Sequence, residues 1–211
     1  FTGSPPVGRE IKSKAGMKKV TLELGSNSGV IIEPDADINA AVSRAVMGAF
    51  ANSGQVCISL QRIYLHKEIY PLFKTRFLEE VKKLKSGDPL NEETDLGPLI
   101  DRAAAERTEN WVNEAVKQGA LVLAGGVKHG NSFEPTVLEK AGPSMQVVCG
   151  EVFAPVVSLF EYDDSNPICS FCMKKGKQSY KNRFSNEHYK ELGGSDGIKG
   201  MPNSFWNNQK S

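Results

Sequence analysis

Apolar and polar residues follow two different periods along the first three quarters of the chain. After Asp37, apolar residues recur every three or four positions, which predicts a buried amphipathic helix ending near Ser53-Gly54. The same spacing predicts helices over 70–84 and 102–118. Short extended segments are predicted between the helices at 20–24, 62–65, 121–124, 136–138 and 156–160. Strands that alternate with helices in this way predict an α/β sheet.

The chain opens on a turn that leads into a helix. Gly3-Ser4 precedes Pro5, so Ser4 is the predicted N-cap and Pro5 the first helical residue. A helix N-terminus offers unpaired N–H groups, and glycine lets the backbone approach a ligand closely. Gly3 and Ser4 therefore form a candidate anion site, although an ordinary capped helix explains the same residues.

Two stretches follow neither period. Gly25, Asn27 and Gly29 predict irregular backbone after the first extended segment. From Ser165 onward Asn, Lys, Ser and Gly dominate and apolar residues lose their spacing. We therefore expect residues 165–211 to form a disordered or foreign tail.

Composition narrows the function classes. The chain has 211 residues, of which 39% are hydrophobic and 24% charged, which suits a soluble globular domain. Its 26 basic and 25 acidic residues are interspersed, so no field of one sign attracts nucleic acid or an anionic membrane surface. There is no signal peptide and no long apolar run, and a cytoplasmic location is expected. Because the chain starts at Phe1 rather than Met, we expect it to be a piece of a longer protein.

Four short motifs carry the functional information. They are Phe1-Thr2-Gly3-Ser4 with Gly8, Leu22-Glu23-Leu24-Gly25, Gly54-Gln55-Val56-Cys57 and Glu151-Val152-Phe153-Ala154-Pro155. In this order, with 34 positions from Glu23 to Cys57, they resemble the aldehyde dehydrogenase superfamily over residues 1–164. The resemblance implies an α/β, aldehyde dehydrogenase-like catalytic domain with a remnant of the Rossmann-type coenzyme domain, truncated at both ends. It assigns 1–25 to the coenzyme-domain remnant, 26–164 to the catalytic domain and 165–211 to a divergent tail.

The resemblance implies catalytic roles for Cys57 and Glu23. Oxidising an aldehyde with a nicotinamide cofactor needs a thiolate that adds to the carbonyl and a base that activates water against the thioester. Cys57 is the implied nucleophile, with its own backbone N–H helping to hold the oxyanion, and Glu23 is the implied base. Taken alone, Cys57 would be read as a small buried apolar residue and Glu23 as a solvated strand residue.

The resemblance also implies a site for NAD or NADP. Gly3 and Ser4 would meet the pyrophosphate region of the cofactor, Glu151 would bind the nicotinamide ribose hydroxyls, and Phe153 would pack near the nicotinamide. Read without the family, Glu151 is a strand-edge carboxylate and Phe153 a core aromatic. The implied partners are a small-molecule aldehyde and, in the full-length family form, further copies of the same chain.

The chain departs from the family pattern in several places. Ser26 stands where the family usually has a second glycine, and Gly150 where a second glutamate is common. The asparagine that serves the family as second oxyanion donor lies in segments that this sequence lacks. The resemblance stops abruptly near Asp164, as a reading-frame shift would produce, and translating the other two frames tests that hypothesis.

Two other kinds of chemistry find less support in the sequence. Cys169 and Cys172 have metal-ligand spacing, but no second ligand pair follows and His188 alone does not complete a tetrahedral site. A cysteine hydrolase would need a histidine partner, and no histidine lies in a hydrolase signature. Two alternatives within the family stay open: a catalytically inactive remnant that acts only as an interaction module, and an enzyme that transfers the acyl group to coenzyme A. Glu23 favours hydrolysis over the second.

Overall fold

The extended segments pair into one six-stranded sheet in the computed structural model, which describes residues 1–163 and 182–184. The strands of the described chain are β1 (Ser28–Ile32), β2 (Leu60–His66), β3 (Leu121–Ala124), β4 (Lys128–His129), β5 (Ser132–Phe133), β6 (Thr136–Glu139), β7 (Val156–Tyr162) and β8 (Asn182–Phe184). The sheet order is β3-β6-β7-β2-β1-β8, and only β3 runs antiparallel to its neighbour. Strands β4 and β5 form a separate hairpin.

Five helices accompany these strands in the described residues: α1 (Pro5–Lys14), α2 (Ile38–Phe50), α3 (Tyr70–Val81), α4 (Arg102–Lys117) and α5 (Gln146–Cys149). Aspartates cap two of the three predicted long helices: Asp37 accepts from the Ala40 amide at 3.1 Å and Asp101 from the Ala104 amide at 2.7 Å. None of the described helices is both long and apolar enough to cross a membrane.

The helices cover the two faces of the sheet. Val137 and Val157 pack with α2 and α3, whereas their neighbours Leu138 and Val156 pack with α4 and α5. Successive strand residues point to opposite faces, so this alternation shows two separate apolar layers on either side of β6 and β7. The α/β class expected from the sequence is confirmed.

Two local predictions were wrong. Residues 20–24 do not form a strand of the sheet; they are extended, with a single bridge between Thr2 and Glu23. The opening residues are their only strand-like partner in the described chain, and one bridge does not make a ladder. Gly29, expected in irregular backbone, lies in β1, because Val30 and Ile32 supply buried positions that outweigh the cost of one glycine.

The predicted tail lies almost wholly outside the described residues. Its exception is β8, which pairs in parallel with β1 through Val30, Ile31 and Ile32. At these three residues the structure differs from the expected disorder. The reason is that β1 would otherwise present unpaired N–H and C=O groups along its outer edge.

Candidate active site

The chain turns sharply between α2 and Cys57. Asn52, Ser53 and Gly54 all have left-handed backbone, with φ of 49°, 55° and 70°. For residues other than glycine this conformation costs on the order of 1 kcal/mol. The Ser53 hydroxyl stabilises the turn by donating to the Gly97 carbonyl at 2.8 Å. The turn brings Cys57 to the surface, where its side chain is exposed.

Gly54 is the contact between the cysteine motif and the fourth motif. A Cβ atom at this position would lie 2.2 Å from the Ala154 carbonyl oxygen and 2.9 Å from the Pro155 nitrogen. Both contacts are shorter than real Cβ atoms tolerate, and both are to backbone. Only glycine fits, so the turn before Cys57 packs directly on the segment that follows Glu151.

Ser26, the residue after the second motif, joins that motif to the third and the fourth. Its amide donates to Glu151 Oε1 at 3.0 Å, and its hydroxyl donates to the Cys57 carbonyl oxygen. The Ser28 hydroxyl lies 3.0 Å from the Ser26 hydroxyl. A Cβ at Gly25 would lie 1.7 Å from Glu151 Oε2, so the carboxylate occupies the space that a side chain at residue 25 would need.

Two amide side chains form hydrogen bonds with the backbone of these loops. Gln61, at the start of β2 and 2% exposed, donates to the Ser26 carbonyl at 3.1 Å and accepts from the Val152 amide at 2.8 Å. Asn27 donates to two carbonyls of the 148–150 stretch, at 2.7 and 3.0 Å. The backbone around Glu151 is therefore fixed to the 26–27 segment by side chains from both sides.

Glu23 lies on the bridge that ties the first motif to the second. Its amide donates to the Phe1 carbonyl at 2.9 Å and its carbonyl accepts from the Gly3 amide at 3.0 Å. The Glu23 side chain is exposed. Ser26 follows it three positions later, a span of at most about 11 Å. Among the described residues no hydrogen bond joins the side chains of Glu23 and Cys57.

Glu151 lies in an electrostatically mixed environment. Burial raises the pKa of this carboxyl, against the opposing effects of the Ser26 amide and the nearby Arg107 guanidinium. Arg107 also donates to the Val152 carbonyl at 3.2 Å. Phe153 has a φ of 51° and is 37% exposed, so this aromatic residue is not part of the core.

The start of α1 offers fewer donors than the sequence analysis assumed. Ser4 occupies the N-cap position, but its side chain makes no cap hydrogen bond. Pro5 and Pro6, the first two helical residues, have no N–H group. The anion-binding role of Gly3 and Ser4 stays a prediction that rests on a reduced set of backbone N–H groups.

The structure therefore brings together the segments that carry the predicted site residues, and further residues contact these segments. Gly3 and Glu23 meet at the bridge, and the Cys57 and Glu151 loops meet at Ser26. In the sequence Ser26 stands out only as a departure from the family pattern, and neither Gln61 nor Arg107 belongs to any of the four motifs. Gln61 precedes the strand predicted at 62–65, in a stretch that also contains Arg62 and His66, so no pattern in the sequence marks it as part of the site.

The rival chemistries gain no support from these residues. His66 lies at the far end of β2, about 20 Å of strand beyond Leu60, so it does not partner Cys57. His129 lies in the hairpin, 3.1 Å from Glu134. No group of three His, Cys, Asp or Glu residues within 1–163 could hold a metal ion, while Cys169 and Cys172 lie outside the described residues.

Two family models match the chain. The model of the aldehyde dehydrogenase family matches residues 1–171, and one described as a CRISPR-associated protein matches residues 162–211, nearly all outside the described part. Among curated proteins, the 3-sulfolactaldehyde dehydrogenase of Priestia megaterium is 47% identical over 170 residues, covering 81% of this chain and 36% of its own. The chain thus spans about a third of the length of such relatives.

Solved structures agree with the sequence comparison. Glyceraldehyde-3-phosphate dehydrogenase from Methanocaldococcus jannaschii, complexed with NADP, superposes with a TM-score of 0.81 at 36% identity, over 92% of this chain and 42% of that one. Betaine aldehyde dehydrogenase from Staphylococcus aureus, in complex with NAD+, gives 0.74 at 33% identity, over 77% and 34%.

Proposed function

We propose, since the chain belongs to the aldehyde dehydrogenase family, that Cys57 and Glu23 are the nucleophile and the general base of an enzyme that oxidises an aldehyde to a carboxylic acid with NAD or NADP. One observation carries the proposal: Ser26 contacts the Cys57 loop through its hydroxyl and Glu151 through its amide. The three motifs that lie far apart in sequence therefore meet at one residue.

Cys57 has the exposure and the backbone that the first step needs. The thiolate attacks the aldehyde carbon, a C–S bond forms, and the carbonyl π electrons move to the oxygen. Among the described residues nothing accepts a hydrogen bond from the Cys57 N–H, so this group is free to donate to the oxyanion. Loss of hydride from the same carbon then leaves a thioester on Cys57.

The residues around Glu151 suit a nicotinamide cofactor. A half-buried carboxylate is a strong acceptor for ribose hydroxyls, and the absence of a side chain at Gly25 leaves room for that carboxylate. The exposed ring of Phe153 offers an apolar face beside it. When bound, the cofactor supplies the hydride acceptor, and Glu151 and Phe153 would hold it.

Glu23 completes the reaction in this proposal. Its exposed carboxylate takes a proton from water, the resulting hydroxide attacks the thioester carbon, and the C–S bond breaks to release the acid and the Cys57 thiolate. The position of Glu23 three residues before Ser26 supports this role, because Ser26 is bonded to the Cys57 carbonyl.

An ester substrate tests the two roles without a cofactor. p-Nitrophenyl acetate should acylate Cys57, release nitrophenolate and leave an acetyl thioester that Glu23 helps water to hydrolyse. In the wild-type chain we expect slow turnover; in Glu23→Gln we expect about one nitrophenolate per chain, followed by a deacylation rate at least about a hundredfold lower. Peptide mass spectrometry should then find the acetyl group on Cys57.

Two controls make this test specific. Cys57→Ser should abolish acylation, whereas Cys149→Ser, which removes the other described cysteine, should leave it unchanged. Acetylation spread over several side chains, or a Glu23→Gln chain that deacylates at the wild-type rate, would contradict the assignment. The first result would favour the reading of the chain as an inactive interaction module, whereas the second would leave Cys57 as the nucleophile and remove Glu23 as the base.

A further inference from the structure

We propose that Ser26 is a positioning residue for the nucleophile: its hydroxyl fixes the Cys57 carbonyl and thereby links Cys57 to the Glu151 carboxylate held on the Ser26 amide. The inference rests on the proposed function, because it assigns Ser26 a part in the same site. It gives a role to the serine that stands where the family usually has glycine.

The contacts that carry this inference belong to a single residue. The Ser26 hydroxyl donates to the Cys57 carbonyl oxygen, and the Ser26 amide donates to Glu151 Oε1 at 3.0 Å. Ser26 is itself held in place, because its carbonyl accepts from Gln61 at 3.1 Å. Ser26, the residue that makes both contacts, is thus fixed to β2.

Holding the Cys57 carbonyl restricts the nucleophile. The carbonyl defines the peptide plane that follows Cys57, so a hydrogen bond to it limits rotation about the Cα–C bond of Cys57. Without that bond the exposed loop can turn its carbonyl towards the sulfur or away from it. The position of the Cys57 Cα, from which both the thiol and the N–H extend, then becomes variable relative to the rest of the site, which costs rate in a step that needs both groups placed against the substrate.

A glycine at residue 26 would keep the amide contact with Glu151 and lose the hydroxyl contact with Cys57. The two contacts can therefore be separated by mutation. Ser28 offers a matched comparison, because its hydroxyl lies 3.0 Å from that of Ser26 but, among the described residues, it is Ser26 that donates to the Cys57 carbonyl. Ser26→Thr keeps a hydroxyl at the same position.

The Cys57 carbonyl can be observed directly by NMR. Cys57-Ile58 is the only Cys-Ile pair in the sequence, so the full chain labelled with carbonyl-13C cysteine and 15N isoleucine gives one correlated carbonyl–nitrogen signal. In Ser26→Ala we expect the Cys57 carbonyl resonance to move upfield, as a carbonyl does on losing a donor. Ser28→Ala and Ser26→Thr should leave it near the wild-type position.

Acylation by p-nitrophenyl acetate measures the consequence for the nucleophile. We expect Ser26→Ala to lower the acylation rate of Cys57 by about fivefold, the effect of one ordinary hydrogen bond, with Ser26→Thr restoring it. If Glu151 is linked to Cys57 through the Ser26 hydroxyl, Glu151→Gln should change the acylation rate of the chain that keeps Ser26. The same substitution should cause no further change in a chain that already carries Ser26→Ala.

The outcomes separate this inference from the proposed function. A wild-type chain that acylates at Cys57, with no change of rate or carbonyl shift in Ser26→Ala, would overturn the role of Ser26 and leave the function standing. Equal shifts in Ser26→Ala and Ser28→Ala would also overturn it, because the effect would then be general loosening. A carbonyl shift confined to Ser26→Ala in a chain that does not acylate would instead refute the function and keep the contact.

Discussion

At the scale of single residues, the candidate site depends on backbone that most side chains do not adopt. Asn52, Ser53 and Gly54 form three consecutive left-handed residues before Cys57, and Phe153 adds a fourth beside Glu151. Strain of this kind persists only where surrounding contacts hold it, and it clusters at functional sites. Here the contact between Gly54 and the Ala154 carbonyl provides that hold.

Gly54→Ala tests this contact. A methyl group at residue 54 meets the Ala154 carbonyl oxygen at 2.2 Å and adds backbone strain at a φ of 70°, so we expect a loss of about 2–3 kcal/mol in the free energy of unfolding. Gly16→Ala is the matched control, because Gly16 has a φ of 58° and nothing within 4 Å of a built Cβ. Urea unfolding should show a loss of only about 1 kcal/mol for the control. Equal losses in the two variants would contradict the packing argument.

Glu151 gives the site a pH-dependent contribution to stability. Burial raises its pKa in the folded state, so the folded chain keeps this proton to a higher pH than the unfolded chain does. The stabilisation is fully present below the unfolded pKa and is lost as pH rises through the folded pKa. We therefore expect Glu151→Gln to become more stable relative to wild type as pH rises across that window. Urea unfolding at several pH values measures this, with exposed Glu92→Gln as control; a difference independent of pH would contradict it.

At the scale of elements, β2 supports the site. The strand starts three residues after Cys57 and lies between β1 and β7. It carries Gln61, whose side chain forms hydrogen bonds with the loops of Ser26 and Val152. The sequence predicted a strand here from its apolar residues. Gln61 was missed because its role depends on the carbonyl of residue 26 and the amide of residue 152, which are far away in sequence.

Gln61→Met tests the support that β2 provides. Methionine has a similar volume but leaves the Ser26 carbonyl and the Val152 amide without their partner, so we expect a loss of about 2–4 kcal/mol in unfolding free energy. Gln118→Met is the control, because Gln118 is exposed and bonds only Glu114 on the same helix. Calorimetry or urea unfolding should find little change for the control. Similar losses in both would show that the Gln61 bonds contribute nothing specific.

The spacing of apolar residues predicted the helices that pack on the sheet. It failed for segments that become strands only by pairing with another strand. The helices α2, α3 and α4 follow from apolar spacing, and Asp37 and Asp101 mark two of their starts. The strand predicted at 20–24 reduces to one bridge, because alternation in sequence does not supply a neighbouring strand. Strand β8 was missed for the opposite reason, since the edge of β1 accepts a segment that has no pattern of its own.

At the scale of the whole molecule, the four motifs identified the family and the sheet explains why they converge. The parallel strands β1, β2 and β7 lie side by side, and the loops that precede all three carry Ser26, Cys57 and Glu151. The sequence did not predict the order of the strands in the sheet. The meeting of the motifs was therefore implied by resemblance and is now visible as contacts.

The central claim is that Cys57 belongs to an assembled cofactor-linked site. Iodoacetamide labelling of the full chain across pH, with and without NAD or NADP, followed by peptide mass spectrometry on all four cysteines, tests it most directly. We predict that Cys57 is labelled at least about tenfold faster than the other three at neutral pH and that the cofactor changes its rate. Uniform labelling that is insensitive to the cofactor would contradict the account.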